Sequence, residues 1–194
     1  MASSSPIRAM ILDMDGVLWK DRESIGHLPS VFARLESKNI QVILATNNAT
    51  RTPEQYVEKL AGFGVELDLW RVINSAAATA FRLKKDFPRG GPVFVIGEEG
   101  LVKALSSQGF PSVGTESKPI AVVAGLDREI TYDKLKMGTR LIRNGLPFYG
   151  TNPDRTFPTP DGLIPGAGSI LAALEAATDI HPIIAGKPSP DMYY

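Results

Sequence analysis

The 194-residue chain has no cysteine. Disulfides and thiolate chemistry are therefore excluded, and an intracellular, cytoplasmic home is allowed. Histidine is scarce: only His27 and His181 offer imidazole, so a zinc site or a Ser-His-Asp triad has few parts to draw on. No charge of one sign dominates. The 21 Lys and Arg balance the 21 Asp and Glu, which leaves no field to steer the chain onto nucleic acid or an anionic membrane. No apolar run approaches the ~20 residues that a membrane span needs. The opening "MASSSP" lacks a basic region followed by an apolar one, so it reads as a short tail and not as a secretory signal.

What remains is the composition of a folded chain. With 43% hydrophobic and 22% charged residues, it can bury a core of one large or two small domains. Strand-like and helix-like runs alternate, which predicts an α/β fold. "IRAMILDM" reads as the first strand. "LPSVFARLESKN" reads as an amphipathic helix with Val31, Phe32 and Leu35 on one side. "IQVILAT" is a second buried strand. Thr52 then caps a helix with Pro53 at its first position and Gln55 at the capping-box position. "RVINS" is a third strand, and Ser75 is placed to cap the alanine-rich helix after it.

A break follows at "DFPRGGP". "VFVIG", "PIAVVAG" and "PFYGT" then read as strands, separated by helices over 98–108 and from Thr131 to Asn144. "NPDRTFPTPDGLIPGAG" reads as a long irregular stretch before a helix over 168–178, and "HPIIAGKPSP" as a last strand and turn. The middle thus holds a complete small α/β unit. It is expected as an insertion over 83–181 into a domain formed by 1–82 and 182–194.

Three strand ends carry chemistry. In "DMDG", Asp13 and Asp15 are two residues apart, so a continuing strand points both carboxylates one way and Met14 into the core. Paired carboxylates repel unless a cation intervenes, and a hard divalent ion such as Mg²⁺ prefers oxygen ligands. An EF-hand is excluded, because Gly16 is fourth from Asp13 and not sixth. The plain alternative is a strand-ending turn. In "ATNNAT", Thr46 and Asn47 offer a hydroxyl and an amide, groups that hold phosphate oxygens without moving protons; an Asn-rich turn is the alternative. In "AGKPSP", Lys187 can neutralise both a carboxylate and a phosphate, or simply be solvated. It is not a P-loop lysine: no glycine sits five residues before Gly186, and Pro188 stands where Ser or Thr belongs. Parallel strands bring such ends to one edge.

In this order, the three motifs resemble those of the haloacid dehalogenase superfamily of phosphohydrolases. "DMDGVL", "ATNN" and "GKPSP" match its first three motifs. "GLDREITYDKL", "GTNPDRTFPTPDGLIPGAGSILAALEAAT" and "GKPSPDMY" resemble its nitrophenylphosphatase and phosphoglycolate-phosphatase branch. The likeness covers Ile7 to Tyr194. It implies a Rossmann-like parallel-sheet core with an inserted α/β cap, and a Mg²⁺-dependent phosphatase acting on a small phosphorylated metabolite. Asp13 is then the nucleophile that becomes an aspartyl phosphate, and Asp15 the general acid and later base. Mg²⁺ is held by the Asp13 side chain and the Asp15 backbone carbonyl. Thr46 and Asn47 position the phosphoryl group, and Lys187 stabilises its charge.

A cap is the expected source of selectivity, with Asn48, Asp127, Asn152 and Asp154 as candidate contacts to the leaving group, or as turn formers. "PGAGS" is a candidate anion nest, or simply the entry to a helix. The superfamily's fourth motif, an acidic Gly-Asp cluster, is not found after Lys187; Asp191 follows too soon. On that ground the chain reads as a fragment with weak Mg²⁺ binding and with "AMILDM" as an exposed apolar edge. Two other readings stay open: a non-catalytic binder of phosphate ligands or partners, and phosphoryl transfer to a sugar. Phosphoglycolate, nucleotide monophosphates, sugar phosphates and pyridoxal phosphate are all open as substrates, as is a homodimer through the cap.

Overall fold

The structure is a computed structural model that describes residues 7–193. The "MASSSP" tail lies outside the described residues. The chain divides into two compact units. One comprises the residues up to Thr46 together with Pro53–Ile73; the other comprises Asn47–Thr52 and Asn74–Tyr194.

In the first unit, β1 (Ala9–Leu12) pairs parallel with β4 (Gln41–Thr46), in register from Ala9 opposite Gln41 to Leu12 opposite Leu44. β4 is central and β5 (Val72–Asn74) completes the order β1-β4-β5. Between β1 and β4 come a small antiparallel hairpin, β2 (Trp19–Lys20) with β3 (Glu23–Ser24), and helix α1 (Leu28–Ser37). α2 (Pro53–Gly62) joins β4 to β5 and starts at Pro53, where a missing N–H costs nothing. The first strand is shorter than the sequence predicts. Its edge is apolar and exposed as expected, with Ile11 at 51%. The core is Met14, Leu18, Trp19, Leu28, Val42, Leu44, Tyr56, Leu60, Val65 and Val72, with Phe32 and Leu35 packed against it. Val31 departs from the expected apolar side of α1 and stands exposed. α1 also shows what His27 does: its Nδ1 accepts from the Ser30 N–H at 3.2 Å and so caps the helix.

The second unit has its own parallel sheet, in the order β11 (Ile183–Ile184), β8 (Phe148–Gly150), β7 (Val122–Ala124), β6 (Phe94–Ile96). It starts with α3 (Ser75–Asp86), then β6, α4 (Glu99–Ser107), β7, α5 (Tyr132–Arg143) and β8. The cap of α3 is Asn74, whose side chain accepts from Ala77 N–H at 2.8 Å, and not Ser75 as the sequence predicts. Ser75 is free to donate elsewhere because Asn74 already fills the capping role. β7 and β8 are buried at every position, which is what a sheet covered on both faces requires. Two apolar clusters fill the layers, one around Leu101, Phe110 and Tyr149, the other around Ile96, Phe148 and Leu174.

The stretch expected to be irregular folds in part into an antiparallel hairpin, β9 (Thr156–Thr159) with β10 (Gly162–Pro165). Pro158 and Pro165 within these strands hide the signal, since proline is tolerated only on edges. α6 (Ala167–Thr178) and β11 (Ile183–Ile184) follow. The glycines of "PGAGS" are there for close approach. Gly168 N–H donates to Asp154 O at 2.8 Å, and a Cβ on Gly168 would run into the Pro153 carbonyl. Those backbone groups are engaged with the 153–155 segment, so the anion-nest reading gives way to the helix-entry one. No helix of the described residues is long and apolar enough to cross a membrane.

Candidate active site

In the first unit, β1 ends at Leu12 and the chain turns over the next residues. Met14 is fully buried in the core, which leaves Asp13 exposed and Asp15 half-buried on either side of it. Asp13 Oδ1 accepts from the Met14 N–H at 2.8 Å. Asp15 is held at both oxygens. The Trp19 indole N–H donates to Oδ1 at 2.8 Å, and the Thr46 hydroxyl donates to Oδ2 at 3.2 Å. Thr46 ends the neighbouring strand β4 and is itself buried. So the parallel pairing of β1 with β4 does bring the aspartate pair and Thr46 to one strand edge.

Trp19, which supplies one of these donors, is passed over by the sequence reading. It is 0% exposed, stacked against Tyr56 at 6.3 Å and tilted against Phe63 at 6.0 Å between ring centroids. The Lys59 ammonium sits 4.3 Å from the ring centroid and donates to the Asp21 carbonyl at 2.7 Å. The available signal was the four-residue spacing from Asp15 and the cost of burying an indole N–H without an acceptor.

In the second unit, Asn47 joins three segments. Its Nδ2 donates to Asp154 Oδ2 and to the Lys187 carbonyl, both at 3.0 Å. Its own carbonyl accepts from Ser75 Oγ at 2.6 Å and from Asn152 Nδ2 at 2.7 Å. The loop carrying Lys187 is tied again where Gly186 N–H donates to Thr151 O at 2.8 Å. Only glycine fits there: a Cβ would collide with the Thr151 carbonyl and lie 2.8 Å from Asn47 Oδ1. That Oδ1 is buried and has no hydrogen-bond partner among the described residues. Asn47, Asn152, Asp154 and Lys187 are therefore gathered by one network.

The other candidates have other partners. Asn48 Oδ1 accepts from the Thr50 N–H at 3.0 Å and the Thr50 hydroxyl at 2.7 Å, a local turn. Asp127 is buried, pairs with Lys134 at 2.7 Å and accepts from Glu129 N–H at 3.0 Å. It lines an open recess of about 420 Å³ with Gly97, Glu98 and Arg128. There the Glu98 carboxyl, which burial alone would raise, is held below its ordinary range by hydrogen bonds from Arg128.

Beside Lys187, Asp191 takes a part the sequence reading did not give it. Arg82 bridges Asp86 at 2.9 Å and Asp191 at 3.0 Å, and Ser189 Oγ donates to Asp191 Oδ2 at 3.2 Å. Tyr149 Oη donates to Asp86 at 2.9 Å. Burial would raise the Asp86 carboxyl, but the hydrogen bonds from Arg82 and Tyr149 outweigh it and hold the group below its usual value. The same burial and the same carboxylate push the Tyr149 phenol well above its ordinary value.

Among the described residues no group of three or more His, Cys, Asp or Glu side chains is placed to hold a metal. A hard divalent ion still fits the donor set at the β1 end. Mg²⁺ needs only one or two carboxylates when water and substrate oxygens complete its octahedron. Both Asp15 side-chain oxygens face donors, and the Asp13 carboxylate beside them is exposed.

Comparison with known proteins places this arrangement. The family described as haloacid dehalogenase-like hydrolase matches residues 10–111. An acid sugar phosphatase of Staphylococcus saprophyticus is 36% identical over 183 residues, covering 94% of this chain and 70% of the relative. A 4-nitrophenylphosphatase structure from Thermotoga maritima superposes with a TM-score of 0.89 at 36% identity, over 96% of this chain and 71% of that one. A glycerol phosphate phosphatase from Mycobacterium tuberculosis, solved with calcium and also with magnesium, is 31% identical in both forms. Its calcium complex gives a TM-score of 0.87 over 95% of this chain and 54% of that one. With the aspartate pair at the end of β1 and Thr46 beside it, these likenesses settle the family: the chain belongs to the haloacid dehalogenase-like hydrolases, in the nitrophenylphosphatase branch.

Proposed function

We propose that the chain hydrolyses a small phosphate monoester, such as a sugar phosphate or glycerol phosphate, through an aspartyl-phosphate intermediate. The observation that carries this reading is the pairing at the end of β1: an exposed Asp13 beside an Asp15 whose carboxylate is held at both oxygens. An Asp13 oxygen attacks phosphorus, and the bond from phosphorus to the ester oxygen breaks. Protonated Asp15 gives its proton to the departing alkoxide, so an alcohol leaves. Water then attacks the phosphoryl group, Asp15 takes its proton, and Asp13 is released with inorganic phosphate.

Thr46 and Asn47 position the transferring group, and Lys187 neutralises its charge. A divalent metal, by preference Mg²⁺, supplies further positive charge at the Asp13 carboxylate and the Asp15 carbonyl. That the mycobacterial relative is solved with magnesium and with calcium supports a divalent metal there. Asn152 and Asp154 contact the leaving group. The small α/β unit expected over 83–181 supplies the selectivity for the leaving group.

The test is turnover of 4-nitrophenyl phosphate and glycerol phosphate by the purified chain in Mg²⁺, with EDTA and Asp13→Asn as controls. Release of phosphate that both controls abolish is the expected result. Turnover unchanged by Asp13→Asn sinks the proposal.

A further inference from the structure

We infer that Trp19 is a positioning residue for the acid–base carboxylate: its indole N–H fixes the rotamer of Asp15, and the aromatic box around it fixes the indole. This rests on the phosphatase reading and extends it to a residue that no motif includes. The geometry is specific. A 2.8 Å bond joins Nε1 to Asp15 Oδ1, on the side opposite the 3.2 Å bond from Thr46. A carboxylate gripped at both oxygens cannot rotate about its last side-chain bond without breaking one of them. Neither donor can drift far. Thr46 sits on a central strand, and Trp19 is fully buried with Tyr56, Phe63 and Lys59 around its ring.

The hairpin β2–β3 helps to set where Trp19 sits. Gly16 N–H donates to Trp19 O at 2.8 Å, and Trp19 lies opposite Ser24 in the β2–β3 pair. The turn after Asp15 therefore returns the chain so that residue 19 faces residue 15. A buried indole would be satisfied by any acceptor. That its acceptor is the one carboxylate assigned to proton transfer is what makes the contact functional as well as structural. Proton delivery within ~3 Å depends on such alignment.

The test separates alignment from packing by leaving-group dependence. An alkyl phosphate needs its leaving oxygen protonated; 4-nitrophenolate leaves without a proton. Trp19→Phe keeps a ring in the box and removes the donor. Its kcat/KM is expected to fall about 10- to 100-fold for glycerol phosphate, part of the ~10²–10⁴ that general acid catalysis contributes, and less than about threefold for 4-nitrophenyl phosphate. Phe63→Leu, which keeps the donor and loosens only what holds it, is expected to give a smaller loss in the same direction, again confined to glycerol phosphate. Equal losses on the two substrates in Trp19→Phe, or no loss on either, overturn the inference.

A second readout does not need turnover. In a ¹⁵N-labelled chain the Trp19 indole N–H signal, assigned by its loss in Trp19→Phe, is expected to move upfield and exchange faster in Asp15→Ala. The Trp70 signal is the internal control. An unmoved Trp19 signal overturns the inference even if the enzyme is active. If the unaltered chain turns over neither ester while the signal responds, it is the phosphatase reading that has failed and the contact that stands.

Discussion

Replacing Arg82 with alanine removes the hub of the charged cluster beside Lys187, and its cost can be worked from the contacts. Two charge-assisted bonds are lost, to Asp86 at 2.9 Å and to Asp191 at 3.0 Å. The side chains are 29%, 30% and 17% exposed, between the surface case of ~0–1 kcal/mol per pair and the buried case of ~3–5 kcal/mol. Each pair is therefore assigned about 0.5–1.5 kcal/mol, and Arg82→Ala about 1–3 kcal/mol together. For a chain of this size that lowers Tm by roughly 3–10 °C. Far-UV circular dichroism is the right probe, because both tryptophans, Trp19 and Trp70, lie in the first unit and Arg82 in the second.

The pH dependence fixes the cause. Asp86 is depressed in the folded chain, so its contribution is fully present above its unfolded value, about 3.9, and is lost as pH falls through the lower folded value. The gap between the parent and Arg82→Ala is expected to hold from pH 8 to 5 and to narrow below about pH 4. A gap below ~0.5 kcal/mol at neutral pH, or one that widens in acid, would refute the ion-pair account.

Two further outcomes are expected, the first from the role proposed for Lys187. Lys187→Met is expected to lower kcat by about 10²–10³ with the fold intact by circular dichroism, the usual loss when one charge-stabilising donor goes. Gly168→Ala poses a contest between helix propensity, which favours alanine by ~1 kcal/mol, and the collision of its Cβ with the Pro153 carbonyl in backbone that cannot yield cheaply. The collision is expected to win, so Tm falls; a rise would show that the 153–155 segment gives way.

The sequence makes the fold legible wherever the signal is local. Apolar runs ending in polar residues locate β4 and β6–β8, and Thr131 caps α5 as predicted, its Oγ1 accepting from Lys134 N–H at 3.2 Å. Periodicity misleads where the partner surface is small: Val31 fits the apolar stripe of α1 yet is 44% exposed. The β9–β10 hairpin escapes because its prolines suppress the strand signal while its edge position tolerates them. The β2–β3 hairpin escapes because two residues per strand carry no period at all.

The site follows the same division, and Asp15 shows why. Its own identity and its spacing from Asp13 are written in four consecutive letters. Its environment is not: one donor comes from residue 46 through the register of two parallel strands, the other from residue 19 through a hairpin too short to predict. Asn47 repeats the pattern. The letter suggests a phosphate contact, yet the side-chain N–H groups go to Asp154 and to the Lys187 backbone, 107 and 140 residues away. Motifs thus name the groups that react, because reactivity is a property of the residue. The groups that aim them come from whichever distant segment the sheet register and the turns deliver, and that is decided only when the core closes.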